Sequence, residues 1–214
     1  MIEAIIFDFD GVIIDSERKS VVDNLEFLKE NGIVSPNERE IKALVGTTDT
    51  ENYRYMSKVL NISFEEAETK LSEYIDKHPY TKELIFPEVY PLLKEFHGKY
   101  KLAIASNSPL SFVEKMTESS DIRKYFDKII SGRELGSVKP DPGIYIHARK
   151  ILNVSSDKCL VVEDSPLGIL AGKAARMKVV GRYDRYLDLD ISQADYVISN
   201  LLELRDVIRK ENEL

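Results

Sequence analysis

From Lys101 onward the chain alternates short apolar runs with helical patterns, and this rhythm restricts the fold more than any other feature. Lys101 to Ser106, Lys128 to Ser131, Lys158 to Val162, Val179 to Gly181 and Tyr196 to Ile198 read as strands, most of them separated by helical periodicity. Ahead of them, Ala4-Ile5-Ile6-Phe7 is a continuous apolar run broken by Asp8-Phe9-Asp10-Gly11, the pattern of a buried strand ending in a glycine turn. Strands and helices in alternation predict an α/β fold, with a mainly parallel sheet and helices on both faces. Ligands bind such sheets beyond the carboxyl ends of the strands. The residues that close each strand are therefore the ones to examine for chemistry.

The stretch between the first strand and the others is different. Val21, Val22, Leu25 and Leu28 recur at helical spacing, and Asn31-Gly32 closes that helix. Ser35-Pro36 opens another, with Ile41, Leu44 and Val45 facing inward. Ser63 and Glu66 form a capping box ahead of Ala67, Leu71, Tyr74 and Ile75. This all-helical stretch reads as a small cap domain inserted after the first strand, over residues 16–80, with 1–15 and 81–214 forming the core. A chain of 214 residues at 43% hydrophobic can bury such a core and has length left for a modest second unit. After Pro87, a helix carrying Val89, Leu92, Leu93 and Phe96 stops at Gly98.

Thirty-seven acidic against thirty basic residues give a net charge of −7, and the basic residues are spread singly, which argues against nucleic acid as a partner. No apolar stretch approaches the roughly 18 residues of a membrane helix, so no membrane partner is expected. No basic leader precedes a long apolar region, and a cytoplasmic location is expected. The single cysteine, Cys159, reads as a buried strand residue. Nothing in the sequence fixes an oligomeric state.

Aspartate is depleted inside strands, so Asp8 and Asp10 at the end of an apolar run require a reason. Two residues apart on an extended chain, their carboxylates point the same way and favour a cation or a shared proton; the plainer alternative is a solvated strand end. The next strand ends in Ser106-Asn107-Ser108-Pro109, where Ser108 can cap the following helix and Pro109 can open it. Hydroxyl, amide and backbone N–H groups there suit an anion, or serve simply as caps. Lys139 precedes Pro140, which holds its backbone extended and could deliver the ammonium to a fixed place, although a loop lysine is usually solvated. The strand ending in Val162 runs into Glu163-Asp164-Ser165, two more acids behind buried aliphatics. With Asp8 they could supply the few oxygen ligands that magnesium needs, or form an acidic helix start.

Taken in order, Asp8-Phe9-Asp10-Gly11-Val12, Ser106-Asn107, Lys139-Pro140 and Glu163-Asp164-Ser165 closely resemble the four motifs of the haloacid dehalogenase-like hydrolase superfamily. The resemblance extends to the position of the helical insertion and implies a Rossmann-like core. Within that superfamily the chain is similar to the helical-cap branch that includes phosphoglycolate-phosphatase-like and β-phosphoglucomutase-like proteins. Members that dehalogenate lack an acid at the place of Asp10, whereas those that transfer phosphate carry one. The resemblance implies that Asp8 attacks phosphorus and that Asp10 protonates the leaving oxygen, then deprotonates the water that cleaves the aspartyl phosphate. It implies Mg²⁺ held by Asp8, the Asp10 carbonyl and Asp164, with Glu163 among or beside the ligands. Ser106, Asn107, Lys139 and Gly11 would hold the phosphoryl group of a small phosphorylated substrate.

The chain departs from the mutase pattern at two places. The mutases carry a histidine where this chain has Ser20 and an arginine in a cap loop where it has Asp49. Both changes weaken recognition of a second phosphate and favour a phosphatase over a sugar-phosphate mutase. Gly46, Thr47 and Asp49 are the candidates for substrate specificity. A phosphoacceptor signalling domain also combines acids, a hydroxyl and a lysine at strand ends, but such domains are shorter and have no helical insertion. His78, His97 and His147 match no motif.

Overall fold

Six parallel strands make up one sheet in the computed structural model, which describes residues 1–213. In chain order the elements begin with β1 (Ala4–Phe7), α1 (Ser16–Glu30), α2 (Glu38–Lys42), α3 (Asp49–Leu60) and α4 (Phe64–Lys77). They continue with α5 (Val89–Phe96), β2 (Lys101–Ser106), α6 (Leu110–Ser119), β3 (Lys128–Ser131), α7 (Gly132–Leu135) and α8 (Gly143–Leu152). The chain closes with β4 (Cys159–Glu163), α9 (Pro166–Ala174), β5 (Lys178–Arg182), β6 (Tyr196–Ile198) and α10 (Leu204–Glu213). Two units result: Met1–Asp15 with the chain from Lys82 onward, and Ser16–Thr81.

The strand order is β3-β2-β1-β4-β5-β6. The chain therefore builds outward in one direction from β1 through β2 to β3, then returns to the other side of β1 for β4. The switch falls between β1 and β4, the place where open parallel sheets leave a crevice at their carboxyl ends. Register brings the functional ends level, because Phe7 pairs with Ile104 of β2 and with Val162 of β4. Asp8 follows directly, its N–H donating to the Val162 carbonyl at 2.8 Å.

All four residues of β1 are buried, which is why the run is apolar throughout instead of alternating. Ala4 and Ile6 share a cluster with Ala103, Ala105, and Ile144, Tyr145 and Ala148 of α8. Ile5 and Phe7 are buried equally on the opposite face, where the Phe7 ring meets Phe126 edge-on at 6.2 Å. Each such large side chain contributes roughly 1.5–3 kcal/mol on burial, enough to anchor the acids that follow. Cys159 is buried in β4 as expected, and burial pushes its thiol up to about 11. Among the described residues, no helix is long and apolar enough to cross a membrane.

The unit Ser16–Thr81 contains α1 to α4. Phe27 and Leu28 of α1 and Ala67, Leu71 and Tyr74 of α4 are buried, with Phe27 and Tyr74 edge-on at 5.6 Å. The Ser63 hydroxyl caps α4 by accepting from Glu66 N at 3.1 Å. Two local expectations fail here. Val22 is 43% exposed while Asp23 and Asn24 are buried, because Lys19 Nζ neutralises the Asp23 carboxylate at 2.7 and 2.9 Å and makes its burial tolerable. The second helix starts at Glu38 with Asn37 as its cap, not at Ser35-Pro36. The Asn37 side chain both accepts from Glu40 N and donates to Glu40 Oε1, and this reciprocal bond marks Asn37 as the cap.

The larger unit loses the chain after Asp15 and regains it at Lys82. At that point the two crossings are paired: Asp15 N donates to Leu84 O at 2.8 Å and Phe86 N to Ile13 O at 3.1 Å.

Candidate active site

Asp8, Phe9 and Asp10 leave the end of β1. Phe9 is fully buried and packs edge-on against Phe112 at 6.1 Å, which ties down the segment between the two acids. Gly11 then turns the chain with φ +70, a conformation that L side chains resist. A Cβ at Gly11 would lie 1.8 Å from Asp164 Oδ2, so glycine is also required for the close approach of the β4 end.

Asp10 is held by the end of β2. Ser106 Oγ donates to its Oδ2 at 3.2 Å and Ser108 Oγ donates to the same oxygen at 2.6 Å. Ser108 N in turn donates to Ser106 Oγ at 2.9 Å. The expected cap therefore does not form. Pro109 itself takes the N-cap position, α6 begins at Leu110, and the Ser108 hydroxyl turns to Asp10 instead.

Lys139 arrives on the loop between α7 and α8 and is almost wholly buried. Its Nζ lies 2.5 Å from Asp8 Oδ1 and 2.6 Å from Glu163 Oε1, and 5.2 Å from the centre of the Tyr145 ring. Asn107 fixes that loop, its Oδ1 accepting from Lys139 N at 3.0 Å. Glu163 has no exposed surface and is bound on both oxygens. Tyr145 O–H donates to Oε1 at 2.5 Å, while Asp164 N at 3.2 Å and the Ser165 hydroxyl at 3.1 Å donate to Oε2. Gly168 in α9 makes room for this carboxylate, since a Cβ there would fall 1.9 Å from it.

Lys139 is paired with the buried carboxylates of Asp8 and Glu163, and a third buried carboxylate, Asp164, lies close to both. Burial pushes the Asp8 carboxyl up to about 8; Lys139 pulls it down, and Glu163 and Asp10 push it further up. Burial also works against the charge on Lys139, but Asp8 and Glu163 outweigh it and leave the ammonium above its ordinary value. Tyr145 is raised well above the ordinary phenol, first by burial and then by Glu163. One oxygen from each of Asp8, Glu163 and Asp164 lies within 4.8 Å of the others. Three hard oxygen donors this close together suit a small divalent cation, and the residues fit a metal of the magnesium class.

Asp8, Asp10, Ser106, Asn107, Lys139, Glu163 and Asp164 are joined by the contacts above, with Gly11 packed on Asp164. Gly46, Thr47 and Asp49 lie in the helical unit, where Gly46 has φ +75, Thr47 Oγ1 donates to Leu44 O at 2.6 Å and Asp49 is the exposed first residue of α3. Ser108, Tyr145 and Gly168 escaped the sequence reading. Ser108 was legible only as a cap, Tyr145 only as an apolar helix position, and Gly168 had no signal beyond its place in a helix.

A family model for haloacid dehalogenase-like hydrolases matches residues 5–182, a span that contains all four strand-end motifs. The phosphoglycolate phosphatase of Aquifex aeolicus is 28% identical over 213 residues, covering 94% of this chain and 96% of its own. The phosphorylated carbohydrates phosphatase of Thermotoga maritima is 30% identical over 187 residues, 81% of each chain. Among solved structures, the β-phosphoglucomutase of Clostridium difficile has a TM-score of 0.74 at 26% identity, over 100% of this chain and 98% of that one. On its sequence, its sheet order and the residues gathered at its strand ends, this chain belongs to the haloacid dehalogenase-like hydrolases.

Proposed function

We propose that the chain is a phosphatase for a small phosphorylated metabolite and works through an aspartyl phosphate on Asp8. The observation that carries this reading is the pairing of Asp8 with Lys139 at 2.5 Å beside an Asp10 held by two hydroxyls. Asp8 Oδ attacks phosphorus, and the bond to the leaving oxygen breaks as Asp10 gives that oxygen its proton. Asp10 then takes a proton from water, whose oxygen attacks the phosphorus of the aspartyl phosphate and releases inorganic phosphate and the Asp8 carboxylate. The two hydroxyls on Asp10 Oδ2 keep the carboxyl aimed through both steps. Lys139 offsets the repulsion between the Asp8 carboxylate and an incoming phosphate, and Ser106, Asn107 and Gly11 line the place where phosphoryl oxygens collect charge. Asp8, Asp164 and the Asp10 carbonyl, with Glu163 beside them, would hold Mg²⁺, which when bound supplies further positive charge to this encounter. The helical unit is proposed as the cap that selects the substrate.

The names of the relatives point to short-chain and carbohydrate phosphates as the substrate class. Phosphate release from a panel of such esters, with magnesium and with excess chelator, tests the reading. Steady turnover lost on chelation and restored by magnesium is expected; full activity in chelator contradicts it.

The likeness to a β-phosphoglucomutase supports a second reading, transfer between the 1- and 6-positions of a sugar phosphate. Ser20 and Asp49 stand against it, since neither supplies the cationic grip that a bisphosphate intermediate needs.

A further inference from the structure

Arg182 closes β5 and is only 6% exposed. A buried guanidinium is costly unless its partners compensate, so those partners are informative. Its Nη1 donates to the Gly11 carbonyl at 3.0 Å, and its Nη2 lies 3.5 Å from Glu88 Oε1. The Cζ atom sits 3.7 Å from the centre of the Phe86 ring. Nε is buried and has no hydrogen-bond partner, so the side chain tolerates an orphaned donor while keeping Nη1 on one carbonyl. That carbonyl belongs to the residue after Asp10. Gly11 is thus gripped from two sides, by Arg182 at its carbonyl and by Asp164 against its α-carbon. Phe86 completes a ring of contacts, because its N–H donates to Ile13 O two residues beyond Gly11.

We propose that Arg182 is a positioning residue, which fixes the Asp10–Gly11 turn and thereby aims the Asp10 carboxyl at the leaving oxygen. The inference rests on the acid–base role assigned to Asp10. It makes a claim that a mere core-filling role does not. A general acid matters most when the leaving group is poor: an alkoxide needs the proton, whereas a nitrophenolate departs with little help. Loosening the turn should therefore harm alkyl esters selectively.

The test compares wild type, Arg182→Lys and Arg182→Met on p-nitrophenyl phosphate and on a simple alkyl phosphate, in saturating magnesium, reading kcat/KM. Arg182→Met is expected to lose about 10- to 100-fold on the alkyl ester and about threefold or less on the aryl ester, a fraction of what a general acid is worth. Arg182→Lys, which keeps one donor for the carbonyl, should recover part of the alkyl activity. Equal losses on the two esters, or none, would overturn the proposal. The ratio is taken within one preparation, so partial unfolding lowers both activities alike and leaves it unchanged. Amide hydrogen exchange over Gly11 to Ile14 gives a readout free of any activity: faster exchange in Arg182→Met is expected, and unchanged exchange overturns the anchoring. A wild-type chain that hydrolyses neither ester would sink the phosphatase reading, while the exchange measurement would still decide the role of Arg182.

Discussion

At Gly11 a single hydrogen atom in place of a side chain serves two needs, a backbone at φ +70 and a gap that Asp164 fills. Gly11→Ala should therefore cost about 1–2 kcal/mol of stability from the left-handed backbone alone. It should also raise the magnesium requirement, because the new methyl group displaces the Asp164 carboxylate. Urea unfolding and a magnesium titration check the two parts, and an unchanged requirement would remove Asp164 from the metal site. Asp10→Asn separates the roles differently: it keeps the backbone carbonyl and the magnesium requirement while losing roughly 10²–10⁴ in rate. Acids at the end of a buried apolar strand were conspicuous in the sequence, so Asp8, Asp10, Glu163 and Asp164 could be singled out before any geometry was known. Ser108 could not, because Ser-Pro ahead of a helix is the signature of a cap. Only the observed backbone, in which Pro109 occupies the cap position, shows that its hydroxyl is spent on Asp10.

Among the elements, α8 does more than cover the sheet. Tyr145 is buried like its apolar neighbours, yet its hydroxyl donates to the Glu163 carboxylate at 2.5 Å. Tyr145→Phe leaves that buried charge short of one donor and should cost about 1.5–3 kcal/mol, the range for hydrogen bonds to charged groups. Urea unfolding measures it, and a loss below a few tenths would show that Lys139 and the Ser165 side satisfy Glu163 unaided. Strands were legible because β1, β2 and β4 are covered on both faces and so read as unbroken aliphatic runs. The short helix α2 was misplaced at its start because Ser35-Pro36 and Asn37 both carry cap chemistry. The choice between them is made by the reciprocal bond with Glu40, which sequence spacing alone does not rank.

For the molecule as a whole, the sheet order explains why motifs scattered over more than 150 residues act together. Strands β2 and β4 flank β1, so the ends of all three meet at the switch point, and Lys139 is brought in by the loop before α8. Strand and helix alternation made this parallel sheet predictable, whereas the grip of Arg182 on Gly11 depends on which strands are neighbours across the turn. Substrate choice belongs to this scale too. Given β-glucose 1-phosphate and a trace of the 1,6-bisphosphate, the chain should release free phosphate faster than it forms glucose 6-phosphate, because Ser20 and Asp49 stand where a histidine and an arginine would grip a distal phosphate. Faster formation of glucose 6-phosphate would favour the mutase reading. The central claim, however, is that phosphorus passes through Asp8, and rapid acid quench of the enzyme during turnover, followed by peptide mass analysis, tests it most directly. The account predicts one phosphoryl group on the peptide that contains Asp8, absent from Asp8→Asn, which should also be inactive; a phosphoryl group on any other residue, or steady turnover by Asp8→Asn, would contradict it.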